Sequence, residues 1–288
     1  MARFLIIGAL ALDRPIRLEA SLRVGGRVGG ASLEGRLAGR LGGGAANAGV
    51  ALMKAGHQVN AASILAQDSE GAEALARAAA AGLDISLCVR RAGRSATTLI
   101  LIEPDGERLV MGLDRDRDIV LPSLPPPPPR GGPAFEAVFI RAAYPGAANW
   151  ARRGGITLLH WPTAAYDGPV DVVVASVDDL PPEVLADPLG AARGRHGDQV
   201  RWIVLTRGAD GAQAVGAEGR VSCPAPPAKV ADATGAGDIF AAGLLEALAA
   251  GAPMDRALAH ACAWGAAAVA MEASAPLDAG PDSFAPYR

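Results

Sequence analysis

Apolar residues fall in short runs cut by glycine and proline, a pattern of many brief strands and helices rather than of a helical bundle. Phe4-Leu5-Ile6-Ile7 stops at Gly8 and reads as a buried first strand. Gly42-Gly43-Gly44 then opens a helical segment that turns Val50, Leu52 and Met53 inward and reaches Gly56 at its C′ position. Residues 59–66 read as a strand, and the alanine-rich residues 71–81 as a helix closed by Gly82. Residues 97–103 and 107–111 flank Pro104-Asp105-Gly106, the turn chemistry of a β-hairpin. Hairpins are foreign to a parallel sheet, so this one is placed outside the main domain, with partner strands drawn from residues 13–38.

Further on, apolar strands recur at residues 137–140, 156–159, 170–175 and 200–206, with helical or loop segments between them. Such β-then-α alternation predicts an α/β fold, a mostly parallel central sheet covered by helices on both faces. The expected division is a large α/β domain over residues 1–12, 39–90 and 114–288, with a small β lid over 13–38 and 91–113. The proline run at residues 125–129 excludes helix and central strand and reads as an exposed polyproline II spacer.

Composition narrows the function classes. The net charge of −3 and the lack of a long basic run argue against a nucleic-acid partner or an anionic membrane. Cys88, Cys223 and Cys262 lie far apart, with no CxxC pair to build a disulfide framework or a structural zinc site. The runs at residues 4–7 and 261–271 are too short for a signal peptide and a membrane span, so a soluble, cytoplasmic protein is expected. A P-loop needs GxxxxGK[ST], yet the only lysines, Lys54 and Lys229, follow no glycine. The first strand is not followed by GxGxxG, and neither GxSxG nor HExxH occurs. His57, His160, His196 and His260 are scattered and read as surface or helix-face residues; His160-Trp161-Pro162 follows a strand end, where it could line an active cleft, but His160 receives no role.

The chemistry concentrates in Asp232-Ala233-Thr234-Gly235-Ala236-Gly237-Asp238. Beyond Gly237 the pattern turns helical, with Phe240, Leu244, Ala247 and Leu248 on one face. Gly235, Ala236 and Gly237 therefore sit at a helix N-terminus, where unpaired amides and the helix dipole attract an anion. Asp238, in the first turn, is placed to accept a proton from a hydroxyl held against a bound phosphoryl group. An acid in a first helical turn is also what simple capping calls for.

This segment closely resembles the second signature of the ribokinase-like (PfkB) kinases, and Gly43-Gly44-Ala45-Ala46-Asn47 resembles the first, in the same order along the chain. Gly8 with Asp13, Asp68 with Gly71, and Thr206-Arg207-Gly208-Ala209-Asp210-Gly211 also resemble family positions. The resemblance implies a three-layer ribokinase-like fold and transfer of a phosphoryl group from ATP, with Mg²⁺, to a sugar or sugar-acid hydroxyl. It implies Asp238 as the base and Gly235, Ala236 and Gly237 as the anion hole. Asp13, Gly43 and Asn47 would bind substrate, and Thr206, Gly208, Gly211 and Ser176 the nucleotide. Asp232 and Thr234 would hold a monovalent cation such as K⁺, and a homodimer would form through the lid. Where the family has Asn-x-x-Glu to organise Mg²⁺, this chain has Ser176-Val177-Asp178-Asp179, so Asp179 stands for the glutamate. A nucleoside kinase of the same fold and a catalytically weak sugar or nucleotide sensor are the competing readings.

Overall fold

The computed structural model describes the chain apart from residues 34, 36–38, 107, 114–119, 129–134, 162–165, 272–274, 281, 282 and 288. Parts of the expected lid and hairpin (Glu34, Arg36, Leu37, Ala38 and Glu107), Pro129 of the proline run, and Glu272, Ala273 and Ser274 near the C-terminus lie outside the described residues.

In chain order the first half comprises β1 (Arg3–Ile7), β2 (Ala11–Leu18), β3 (Gly30–Ser32), β4 (Arg40–Gly42), α1 (Gly44–Lys54), β5 (Gln58–Ala62), β6 (Ile64–Ala66), α2 (Ser69–Ala80), β7 (Val89–Arg91), β8 (Thr97–Ile102) and β9 (Arg108–Leu113). The second half comprises β10 (Phe135–Ile140), α3 (Ala147–Ala151), β11 (Gly154–His160), β12 (Val172–Ser176), α4 (Pro182–Ala186), α5 (Pro188–His196), β13 (Trp202–Thr206), β14 (Ala212–Gly216), β15 (Gly219–Cys223), α6 (Ala236–Ala249) and α7 (Met254–Val269).

Among the described residues the main sheet runs β15-β14-β13-β12-β11-β10-β1-β5. It is parallel from β5 to β13, and β14 and β15 add an antiparallel edge. Strand β1 shows why the sheet is covered twice: Phe4 and Ile6 join one core cluster, Leu5 and Ile7 the other. Each such side chain contributes about 1.5–3 kcal/mol by leaving water. The first cluster lies under α1, α6 and α7, the second under α3 and α5.

The chain leaves β1 for β5 on one side and later returns to β10 on the other, so the strand order reverses between β1 and β10. In open α/β sheets that reversal opens a crevice outside the carboxyl ends of the strands. Helix α6 starts there and packs against α1, α7, β10 and β11. It is buried nearly all round over Asp238 to Ala247, not on one face alone.

The second sheet is ordered β3-β2-β8-β9, with β4 also pairing β2. The hairpin forms as its turn residues dictate, Ile102 opposite Arg108. The strands overrun the 13–38 stretch at both ends, because β2 begins at Ala11 and pairs back onto β4. Three other details depart from the sequence pattern. The expected strand over residues 59–66 breaks at Ser63, whose hydroxyl accepts from the Leu10 amide at 3.1 Å. The proline run is docked rather than free, since Pro125 O accepts from Trp150 Nε1 at 2.6 Å and Leu124 is buried. The β14–β15 hairpin answers to alternation too weak to read in Ala212-Gln213-Ala214-Val215.

Candidate active site

Gly235 caps α6 in the left-handed region, φ 78°, with no side chain capping the helix. Among the described residues the Gly237 and Asp238 amides have no hydrogen-bond acceptor, and a Cβ on Gly237 would meet nothing within 4 Å. The turn therefore presents unpaired donors to open space, which is what an anion requires.

Asp238, the third residue of α6, is 8% exposed. Its Oδ2 accepts from Asn47 Nδ2 at 2.9 Å, across from α1. Its Oδ1 accepts from Arg141 Nε at 2.7 Å, from the residue that follows β10. Burial alone would raise this carboxyl; the Arg141 charge and the Asn47 hydrogen bond outweigh it and hold Asp238 below its ordinary value. Two of the sequence candidates, Asn47 and Asp238, thus meet directly.

Sequence reasoning passes over Arg141, and gives His160 a strand end at a cleft but no role. Both end strands on the same carboxyl edge, and strand ends offer no local pattern to mark them. His160 feels the charges of Arg141, Asp238 and Asp179. Burial first, then Arg141, pushes it down to about 4, so it faces the carboxylates as a neutral imidazole at neutral pH. Its reading as a surface residue is corrected. His260 of α7 and His196 of α5 do lie on helix faces, turned inward beside Glu246 and against Trp161, and His57, after α1, is half-buried and bonds the buried Glu246.

Asp13 is buried in β2, directly opposite Arg40 of β4, and its carboxylate fills the place where a Cβ on Gly42 would go. Gly43 adopts φ 87° at the start of α1, where a Cβ would come within 2.5 Å of Ala9 O. Asp68 serves as the N-cap of α2, accepting from the Gly71 amide at 2.8 Å.

The nucleotide candidates lie farther along the same edge. Ser176 and Thr206 end the neighbouring strands β12 and β13 in register. Gly208 and Gly211 form the turn between β13 and β14, both at positive φ, and a Cβ on Gly211 would collide with Cys223 O. Ser176 Oγ is used locally, accepting from the Asp178 amide at 3.3 Å.

Asp179 is exposed just beyond β12. One exposed carboxylate suits Mg²⁺, which keeps several waters and relies on phosphate oxygens for much of its shell. No cluster of three ligating side chains exists among the described residues.

Asp232 and Thr234 do not fit a monovalent cation. Asp232 is fully buried, with Oδ2 taken by Arg40 Nη2 at 2.6 Å and Oδ1 by the Thr234 amide at 2.8 Å. The Thr234 hydroxyl is buried without a partner among the described residues. The guanidinium of Arg40 already supplies the positive charge, and a second cation there would meet it at close range.

The family described as pfkB family carbohydrate kinase matches residues 3–118 and 183–278. No curated protein matches the sequence significantly. Solved structures share the fold. A ribokinase from Thermotoga maritima superposes with a TM-score of 0.72 at 14% identity, covering 99% of this chain and 98% of that one. A Methanocaldococcus jannaschii nucleoside kinase gives 0.69 at 17% identity, covering 96% and 94%. The Arabidopsis thaliana ribokinase complexed with ribose and ATP gives 0.70 at 14% identity, covering 98% and 97%.

Proposed function

Because this chain belongs to the pfkB family of carbohydrate kinases, we propose that it transfers the γ-phosphoryl group of ATP to a hydroxyl of a sugar or sugar acid, with Asp238 as general base. The observation that carries this reading is the junction of unpaired amides at the start of α6 with a buried, ionised carboxylate one residue on. Of the expected anion hole, Gly235 and Gly237 offer their amides, while the Ala236 amide donates to Ala233 O at 3.3 Å. The Gly235, Gly237 and Asp238 amides stabilise charge on the phosphoryl group in flight, and the Asp238 carboxylate takes the acceptor's proton. Asn47 fixes the carboxylate through Oδ2, and Asp13 and Gly43 lie at the acceptor end of the crevice. Thr206, Gly208, Gly211 and Ser176 hold the nucleotide beyond β12. Mg²⁺, held through water by Asp179, would neutralise the phosphate oxygens. The lid excludes water, the competing acceptor.

The test is ADP release from MgATP with a panel of sugars, sugar acids and nucleosides, run in potassium and again in tetramethylammonium. Turnover on a sugar or sugar acid above any nucleoside is expected, and the same rate in both salts, because Arg40 does the cation's work at Asp232. Preference for a nucleoside sinks the carbohydrate assignment, and loss of rate without potassium sinks the role given to Arg40. The exposed Leu109, Val110, Met111 and Leu113 of β9 support a homodimer through the lid. Its mass in solution is expected to halve when Met111 is changed to Glu.

A further inference from the structure

The kinase reading leaves Arg141 unexplained. Its side chain lies over two glycines of the crevice: a Cβ on Gly44 would approach Arg141 Cγ to 2.4 Å, and one on Gly8 would approach Arg141 Cβ to 3.0 Å. Neither glycine has a positive φ, so backbone conformation does not require them. Room for Arg141 does. The arginine then spends only Nε on Asp238, makes no other hydrogen bond among the described residues, and keeps its side chain 37% exposed at the carboxyl edge of the sheet. With Asn47 on Oδ2 and Arg141 on Oδ1, both oxygens of the base are engaged before an acceptor arrives.

Resting on that kinase reading, we propose that Arg141 selects an acceptor carrying its own anionic group, a carboxylate or a phosphate, and that this group draws the guanidinium off Asp238 to free the base. A neutral sugar must break a charge-assisted hydrogen bond between a half-buried arginine and a buried carboxylate and offers only hydroxyls in return. An anionic sugar gives the planar fork a second carboxylate or phosphate, which its terminal N–H groups are shaped to hold in pairs. With Oδ1 released, the acceptor O–H gives its proton to Asp238, the acceptor oxygen bonds the γ-phosphorus, and the bond to the bridging oxygen breaks. ADP leaves with that electron pair.

The test compares kcat/KM with MgATP for fructose, fructose 6-phosphate, glucose, gluconate and 2-keto-3-deoxygluconate, in the full-length protein and in Arg141→Gln and Arg141→Lys. Calorimetry of the same sugars without nucleotide gives a readout that needs no turnover, and melting curves verify that each variant folds. We expect an anionic acceptor to exceed its neutral counterpart by about 100-fold, a ratio that falls to about one in Arg141→Gln and is partly kept in Arg141→Lys. The carboxylate and phosphate arms identify which anion is read. The acid limb of kcat/KM should also move up in Arg141→Gln. The groups facing Asp238 are Arg141, Asn47, His160 and, through His160, Asp179, and of these the removed guanidinium is the strongest hold on the carboxyl. A merely structural role would lower activity without moving that limb. A neutral sugar used as well as its anionic partner, or equal losses on both in Arg141→Gln with the limb in place, overturns the proposal while leaving the kinase reading intact. Anion binding lost in Arg141→Gln with no turnover on any acceptor does the reverse.

Discussion

Asp238→Asn should lower kcat by roughly 10²–10⁴-fold while the protein stays folded and still binds MgATP, the range expected when a positioned proton acceptor is removed. Asparagine keeps the size of the side chain and one acceptor oxygen, so the start of α6 and its amides should persist. What disappears is the negative charge that holds the Arg141 guanidinium at 2.7 Å and that is proposed to take the acceptor proton. Single-turnover kinetics with the best acceptor, beside nucleotide titration and a melting curve, separates these effects. Asp238→Asn turning over within a few-fold of the parent would make the carboxylate a helix-end acid and remove the base from the mechanism.

Glu246→Leu carries the largest expected loss of stability, about 3–5 kcal/mol, because it strips the acceptor from a buried polar cluster. Glu246 lies on the inner face of α6 at 3% exposure. It accepts from His57 Nε2 at 3.1 Å and from the Tyr287 amide at 3.1 Å, and its other oxygen lies 3.0 Å from His260 Nε2. His57 Nδ1 in turn accepts from the Ala2 amide at 3.2 Å, so its single ring proton sits on Nε2 and points at the carboxylate. Four separated pieces of chain thus close on one acid. Burial alone would raise Glu246, but the two imidazoles and the Tyr287 amide take it from 4.5 down to about 2. A depressed carboxyl stabilises the fold fully above its unfolded value near 4.5, and that contribution drains away as pH falls toward about 2. Urea unfolding of the parent should therefore show a midpoint that drops between about pH 4.5 and 2, and Glu246→Leu should be weaker at neutral pH and flatter over that window. A variant as stable as the parent at pH 7 would show that the cluster contributes nothing net.

These expectations draw on two kinds of information. The strands β1, β10, β11, β12 and β13 were legible as apolar runs, and the hairpin around Asp105-Gly106 by its turn chemistry, because both signals are confined to neighbours in sequence. The same holds for α6 and its opening: glycine, alanine, glycine and aspartate in succession specify unpaired amides and a carboxylate whatever the rest of the chain does. The histidines were illegible for the opposite reason. His57 and His260 acquire meaning only when α7 and the turn after α1 close on Glu246. The break at Ser63 is likewise engaged with the Leu10 amide, far earlier in the chain.

By itself, then, the sequence determined the central strands β1 and β10 to β13, the β8–β9 hairpin, helices α1, α2 and α6, and the glycine-rich turn with the acid beside it. Tertiary structure decided what surrounds that acid. Asn47 reaches it from 191 residues away and Arg141 from 97, while Arg40 reaches Asp232 from 192. Those distances are closed by the strand order, which reverses between β1 and β10 and brings Gly8, Arg141 and the start of α6 to one crevice. Local conformation is fixed by interactions a few residues long, whereas the charge, hydration and proton affinity of a side chain are fixed by whichever groups the packed sheet sets within a few ångströms of it.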